Sequence, residues 1–435
     1  MAACSMNRFV LPLSAPQAAD ADRVGPKAAN LALLARAGLP TPGGFCITAK
    51  AYRHQAESLG LGSALRDYAS SDPRLQRKLS VEIRLALYEQ PIVPEIAEPL
   101  LAVWQAHREI LPDGLGAPWA VRSSALVEDR ADANFAGQFE SFLGIDNDRD
   151  FLTTVRACWA ALWTTNARRY MANHGLDPAA TAMAVLIQPL IAATASGGGL
   201  SETAEGNMLI SATWGLGSAI AQGDVVPDRI VLSRQSFVRT IQAGRKDHRD
   251  ACRHGQVAPL AVSKDDAVKP CLTPGQATEL GRMLRKCEDL LRTPVEIEWA
   301  LDEAGFKLLQ ARPLHVQATL VPDEIWLSHP KLAGHPAGIG WGTGRAVVIN
   351  CECELSRVAP GDVLVTRVAG PALSHILPQV AGVVAELGGS TSHLASLARE
   401  RGIPAVLGVL DATVAIPDGA QVAVDGVSGV VRWIA

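Results

Sequence analysis

The stretch GGSTSHLASLARERGIPAVLG, residues 388–408, decides how the chain is read. Leu394, Leu397 and Ala398 recur at helical spacing, Thr391 or Ser392 stands where an N-cap belongs, and Gly402 stands where a helix ends in the left-handed region. His393 therefore falls in the first turn of a helix, where unpaired N–H groups and the positive end of the dipole favour an anion. Gly388 and Gly389 let the backbone approach that anion. A phosphoryl group on the imidazole suits this position. Helix-start histidines without chemistry are the commoner case, so the rest of the chain has to decide. His375, in PALSHILP, is the nearest competitor, and it lacks both the glycine pair and an uninterrupted helix.

A histidine that carries phosphate needs a donor. In VGPKAANLALLARAGLPTPGGF, residues 24–45, Pro26 suits a first helical turn, the leucines and alanines form an apolar face, and Gly38 ends the helix. Lys27 is then held at the helix start, where a cation can offset phosphate charge. WAVRSSALVEDRADANFAGQFESFLGI, residues 119–145, reads as a strand ending in Arg122, a hydroxyl pair, an acidic stretch and a small-residue loop around Gly137. Such a loop can fold over polyphosphate and donate backbone N–H groups.

EIEWALDEAGFKLLQARPL, residues 296–314, reads as two strands joined by a three-residue turn, Glu303 to Gly305. In that register Asp302 faces Phe306, Glu298 faces Gln310 and Glu296 faces Arg312, with Ile297, Trp299 and Leu301 on the opposite side. Two carboxylates, an amide oxygen and a guanidinium on one face offer hard oxygen ligands for magnesium and a cation for phosphates. An exposed hairpin with ordinary cross-strand pairs would show the same pattern.

Taken together, these segments resemble the phosphoenolpyruvate-utilising enzymes, the family of phosphoenolpyruvate synthase, pyruvate phosphate dikinase and rifampicin phosphotransferase. Residues 388–409 closely resemble their phosphohistidine signature, and PGDVLVTR, AGVVAELGG and VAVDGVSGVV resemble the rest of their mobile domain. The resemblance covers nearly the whole chain. It implies an α/β (α+β) architecture: an ATP-grasp nucleotide-binding unit over residues 1–314, a linker or hinge over 315–337, and a small β/β/α swivelling phosphohistidine domain over 338–435. His393 would be the catalytic phosphoryl carrier. Lys27, Arg122 and Arg312 would hold the phosphates of ATP, Gly137 and Ser141 would lie in the loop over them, Gln188 would meet the adenine, and Glu298 with Gln310 would bind Mg2+.

The sequence departs from the family pattern at several points. Pro26 replaces a usual glycine, Asn134 a usual serine, Ser141 a common threonine, and Ser218 an acid that often follows GLG. SGGGLSETAEG, residues 196–206, strays from the usual apolar–threonine pattern and leaves the cleft shape open. No pyruvate-binding barrel or drug-binding domain has room in this sequence. The expected activity is therefore ATP-dependent phosphotransfer of the dikinase type, AMP-forming, to a small-molecule acceptor bound by a partner subunit or by the interdomain cleft. A ligase-like condensing enzyme of secondary metabolism, built from the same two modules, and a non-catalytic phosphocarrier or nucleotide-sensing subunit are the other readings.

The bulk numbers fit these expectations. The chain has 435 residues, 48% of them apolar and 19% charged, enough for two or three domains with their own cores. A net charge of −4 gives no electrostatic footprint for nucleic acid or an anionic membrane. No apolar run approaches the ~18 residues that span a bilayer, and MAACSMNRFVLPLSAP lacks the pattern of a secretion signal, so a cytoplasmic location is expected. Eight scattered cysteines read as reduced thiols, with no spacing that completes a zinc site.

Overall fold

The computed structural model describes residues 8–109, 118–128, 139, 141–203, 205–253, 256–314, 326, 329–367 and 370–434. It divides into two compact units, Met1–Ile191 with Cys252–Ala258 and Leu308–Arg312, and Ala192–Ala251 with Pro259–Lys307 and Pro313–Ala435.

The first unit is built on β1 (Val10–Pro12), β2 (Phe45–Ile47), β3 (Trp119–Ala125), β4 (Ser141–Ile145) and β5 (Met183–Pro189), in the order β1-β2-β5-β3-β4. Every pair is antiparallel. Strand alternation sends Cys46 and Leu186 to one face, where they pack with Val24, Ala28, Leu31 and Ala32 of helix Ala21–Arg36. Phe45 and Trp119 turn to the other face, where Trp104 stacks on Phe151 with centroids 4.1 Å apart. Helix Ala21–Arg36 kinks at Gly25, whose φ is 76°, and Pro26 opens the straight run, as its fixed φ favours. Gly38 follows the helix with φ 79°. Arg122 lies in the middle of β3, not at its end.

The second unit contains β6 (Ala195–Leu200), β7 (Met208–Trp214), β8 (Asp228–Leu232), β9 (Val238–Gln242), the start of β10 (His248–Arg253), the end of its ladder partner β11 (Gln256–Ala261), β12 (Val295–Asp302) and the start of β13 (Gly305–Pro313). The sheet order is β13-β12-β6-β7-β8-β9. Its register gives two kinds of row. Trp299, Gly197, Ala212 and Asp228 stand side by side, and so do Glu298, Gly198, Ser211 and Arg229, one residue further along each strand and on the opposite face. Helix Pro274–Leu291, opened by a capping box between Thr273 and Gln276, packs on the first of these faces. There Leu284 lies beside Ile297 and Gly199.

The hairpin between β12 and β13 differs from the expected one. The strands end at Asp302 and resume at Gly305, leaving two turn residues where three were expected. Phe306 packs its ring against Trp299, with centroids 5.6 Å apart, and so belongs to the apolar face, not to the face of Asp302 and Glu298. A one-residue change of turn length is enough to exchange the faces, because side chains alternate with period two, so the expected register that set Asp302 opposite Phe306, Glu298 opposite Gln310 and Glu296 opposite Arg312 does not hold.

The carboxyl-terminal part of this unit is an eight-stranded sheet of β14 (Lys331–Ala333), β15 (His335–Pro336), β16 (Trp341–Ile349), β17 (Val363–Thr366), β18 (Gly382–Ala385), β19 (Ala405–Leu407), β20 (Gln421–Asp425) and β21 (Val430–Ile434). The order is β14-β21-β20-β16-β17-β18-β19-β15, parallel from β16 through β19 and antiparallel elsewhere. Val363, Val365, Val384, Val406, Val422, Val424 and Val431 form its core, which explains the valine-rich texture of this stretch. Within residues 315–337, Lys331–Ala333 and His335–Pro336 are already strands of this sheet. Cys351 and Cys353 are joined as a disulfide, against the expectation of reduced thiols. The turn after β16 sets their Cα atoms 5.3 Å apart, a separation at which bridging is ordinary. Cys46, Cys271 and Cys287 are free thiols.

Candidate active site

The histidine loop has the local structure read from its sequence. Helix His393–Glu400 begins at Ser392, whose side chain accepts from the Ala395 N–H at 3.2 Å, and Gly402 ends it with φ 69°. His393 is the first helical residue and is half-buried. Gly388 has φ 92° and donates its N–H to the Val225 carbonyl at 3.1 Å. A side chain at Gly389 would strike Pro227 Cγ at 2.4 Å. The glycine pair therefore lets the loop press onto the segment before β8, a packing reason beside the anion-binding one. His375 is exposed on the short 3-10 turn Pro371–His375.

The glycine run that departs from the family pattern lies beneath this loop. A Cβ on Gly198 would meet Thr391 Cβ at 2.5 Å, so only glycine leaves room for Thr391 there. Gly198 is the cross-strand neighbour of Glu298, and directly opposed side chains share a face. The face under the histidine loop is thus the one that carries Glu298, Ser211 and Arg229. Ser211 Oγ, Thr213 Oγ1, Thr391 Oγ1 and Arg229 Nε are buried atoms without a hydrogen-bond partner among the described residues. Unsatisfied buried groups are costly, so their gathering on one face marks a place suited to a polar ligand. His335, buried beside them, is pushed down to about 4 by burial and by the Arg229 charge, and stays neutral near pH 7.

Helix-start residue Ser218 donates to Asp250 Oδ2. Asp250 in turn accepts the Leu216 N–H with its backbone carbonyl at 2.9 Å. An acid therefore meets Ser218 in space, supplied by β10. Asp224 nearby is raised above the usual carboxylate range, chiefly by burial, with Asp250 adding to the rise and His248 opposing it.

In the first unit, alternation places Arg122, Ser141 and Gln188 on the face of the sheet toward helix Ala21–Arg36. Ser141 is the neighbour of Arg122, and Gln188 that of Ala120. The Arg122 guanidinium donates to the Leu309 carbonyl at 3.0 Å and to Gln310 Oε1 at 2.9 Å. Lys27 is buried, donating to the Ser123 carbonyl at 2.8 Å and pairing with Glu128 at 3.4 Å. Its ammonium therefore also ties the helix start to the end of β3. Gln188 is buried and donates to the Gly43 carbonyl at 3.4 Å. Arg312 lies near the end of β13 and is half-buried. Gly137 and Asn134 lie outside the described residues.

The donor set suits magnesium bound with a nucleotide. Among the described residues no three of His, Cys, Asp and Glu gather as a metal site. Magnesium is typically held by one or two carboxylates plus phosphate oxygens, and Glu298 supplies one such carboxylate on the face beneath the histidine loop.

Ser396 and Arg399 were not singled out from sequence, and Glu296 was read there as one of two carboxylates on a magnesium-binding face, not as the partner of Arg399. Glu296 and Arg399 form a buried ion pair at 3.1 Å, and Ser396 Oγ lies 3.3 Å from both Glu296 oxygens. The available signal was an arginine three residues after a serine on the face of a short helix that otherwise reads as apolar.

Comparison with known proteins agrees with this architecture. Residues 21–325 match the family described as pyruvate phosphate dikinase, AMP/ATP-binding domain, and residues 358–429 match the PEP-utilising enzyme, mobile domain. The chain belongs to the family of phosphoenolpyruvate-utilising enzymes. It is 32% identical over 469 residues to phosphoenolpyruvate synthase of Pyrococcus furiosus, covering 95% of this chain and 57% of that one. It is 32% identical over 441 residues to phosphoenolpyruvate synthase of Escherichia coli, covering 94% and 55%. The chain thus spans less than two thirds of the length of these relatives. Among the described residues no helix is long and apolar enough to cross a membrane.

Proposed function

We propose that the chain is an ATP-dependent phosphotransferase in which His393 takes a phosphoryl group from magnesium-bound ATP, with AMP as the nucleotide product, and passes it to a small-molecule acceptor. The observation that carries this reading is the position of His393: first residue of a capped helix, in a loop pressed onto the sheet face that bears Glu298. Neutral imidazole nitrogen attacks the β-phosphorus in line, the nitrogen–phosphorus bond forms as the bond to the AMP oxygen breaks, and the electron pair leaves with AMP; the γ-phosphoryl of the pyrophosphorylated histidine then passes to water as inorganic phosphate, leaving the β-phosphoryl group on His393. Lys27, Arg122 and Arg312 offset charge on the phosphate oxygens, and Gln188 meets the base. Magnesium, when bound through Glu298 and Gln310, supplies charge neutralisation at the same oxygens. The acceptor is held by a partner subunit or by another part of the chain's own surface, and a carrier that moves between donor and acceptor satisfies the ~3–3.5 Å reach that each transfer demands.

The test is to incubate the protein with magnesium and ATP labelled separately at the β and γ positions. A β label retained on the protein while AMP accumulates is expected. Formation of ADP without any label on the protein would overturn the AMP-forming reading.

A further inference from the structure

We infer that Arg399 is a positioning residue, and that Glu296 is the counter-charge through which β12 holds the histidine loop in its working shape. The Arg399 guanidinium reaches four groups at once. Nη1 donates to the Ser390 carbonyl at 2.5 Å, within the loop that precedes His393, and to the Ala337 carbonyl at 3.3 Å, where the chain enters the carboxyl-terminal sheet. Nη2 donates to Glu296 Oε2 at 3.1 Å and to Ser396 Oγ at 3.2 Å. Ser390 is fastened a second time, its hydroxyl donating to the Pro336 carbonyl at 2.5 Å. One side chain thus joins the helix of His393, the loop before it and strand β12.

Glu296 and Glu298 lie on the same side of β12, two residues apart, so the strand that offers Glu298 also anchors Arg399. Both side chains of the ion pair are 8% exposed. A pair buried to this degree adds little net stability, because desolvation offsets the attraction, yet removing one partner strands the other charge and is strongly unfavourable. Those two properties suit a joint that must be specific and must also open. If the histidine element leaves β12, both ions return to water and neither is stranded. Planar Arg, with its fixed fork of donors, can serve the carboxylate and the loop carbonyl together, which a lysine cannot.

This inference takes from the proposed function only the role of His393, and it has a readout that needs no chemistry. The experiment uses the full chain and its Glu296→Gln and Arg399→Lys variants. Amide exchange is measured without nucleotide over residues 386–400 and 222–232, with the β3 and β5 strands as internal control. Affinity for a non-hydrolysable ATP analogue with magnesium, and the single-turnover rate of His393 phosphorylation, are measured alongside. Glu296→Gln is expected to raise exchange in the two segments by about 10-fold or more, the scale of a lost charge partner, while the control strands keep their protection. Phosphorylation slows by a similar factor and analogue affinity stays within about 2-fold, a split that separates positioning from ligand binding. Arg399→Lys falls between wild type and Glu296→Gln. Unchanged exchange over 386–400 in Glu296→Gln, or slowed phosphorylation explained wholly by lost analogue affinity, overturns the inference. Should Glu296→Gln unfold the control strands as well, Glu296→Asp replaces it, and restored loop protection with the shorter carboxylate is the expected result, its absence the contrary one. A wild-type chain that never labels His393 would defeat the proposed function and leave the exchange comparison standing.

Discussion

On one side of the six-stranded sheet Asp228 holds Lys246, with both side chains wholly buried. On the other side Glu296 holds Arg399, with each side chain 8% exposed. The first pair is enclosed by backbone: Asp228 also accepts the Gly244 N–H at 2.8 Å and the Cys271 N–H at 2.6 Å. Its partners all belong to the body of the sheet and the approach to helix Pro274–Leu291, so it serves the fold. The second pair ties the sheet to the helix of His393, so its geometry bears on chemistry. The same two charges, at similar burial, therefore carry different consequences according to what lies across the contact.

Four measurements press on that difference, in descending order of effect. Lys246→Met leaves the Asp228 carboxylate buried without its cation and is expected to cost about 3–5 kcal/mol in urea unfolding. A loss below about 1 kcal/mol would remove the contrast between the two pairs. Glu298→Ala and Arg122→Ala each remove a group that the proposed function assigns to metal or phosphate and are expected to slow His393 labelling by about 100-fold or more, with the unfolding midpoint little changed. Labelling at the wild-type rate in both would break the proposed roles of these two residues.

His335 sharpens the comparison through pH. Its folded pKa lies near 4, below the ordinary value of 6.5, because burial and Arg229 disfavour the imidazolium. The unfolded state then binds the proton more readily, so stability is full above about pH 6.5 and falls as pH drops toward 4. Between pH 7 and pH 5 the loss is about 2 kcal/mol, and His335→Gln should flatten it. A profile identical in the variant would place the acid sensitivity elsewhere. The smallest effect is expected at Arg345 and Asp362, paired at 2.8 Å near the surface. There Arg345→Gln should leave the unfolding midpoint within error at neutral pH.

Much of the histidine element was legible in sequence because its signals are local. The capping serine, the helical spacing of Leu394 and Leu397 and the left-handed Gly402 all act within one turn of the helix. The strand pair of residues 296–314 was legible from its alternating segments, yet the exact hairpin was not. A turn of two residues or three reads almost alike around Gly305, and only the Phe306–Trp299 contact distinguishes them. The function of the glycine run 197–199 was also hidden, because Gly198 is small on account of Thr391, far away in sequence. Glu296 and Arg399 meet across 103 positions and share no local pattern, so their pairing belongs to tertiary structure alone. The same holds for Asp250, which meets Ser218 across 32 positions.

The central claim is that His393, and no other histidine, carries the phosphoryl group. Wild-type protein, His393→Ala and His375→Ala should each be incubated with magnesium and labelled ATP, and the protein-bound label tested for stability in acid and in base. An acid-labile, base-stable label in the wild type and in His375→Ala, absent from His393→Ala, is the predicted result. A label that persists in His393→Ala would contradict the account.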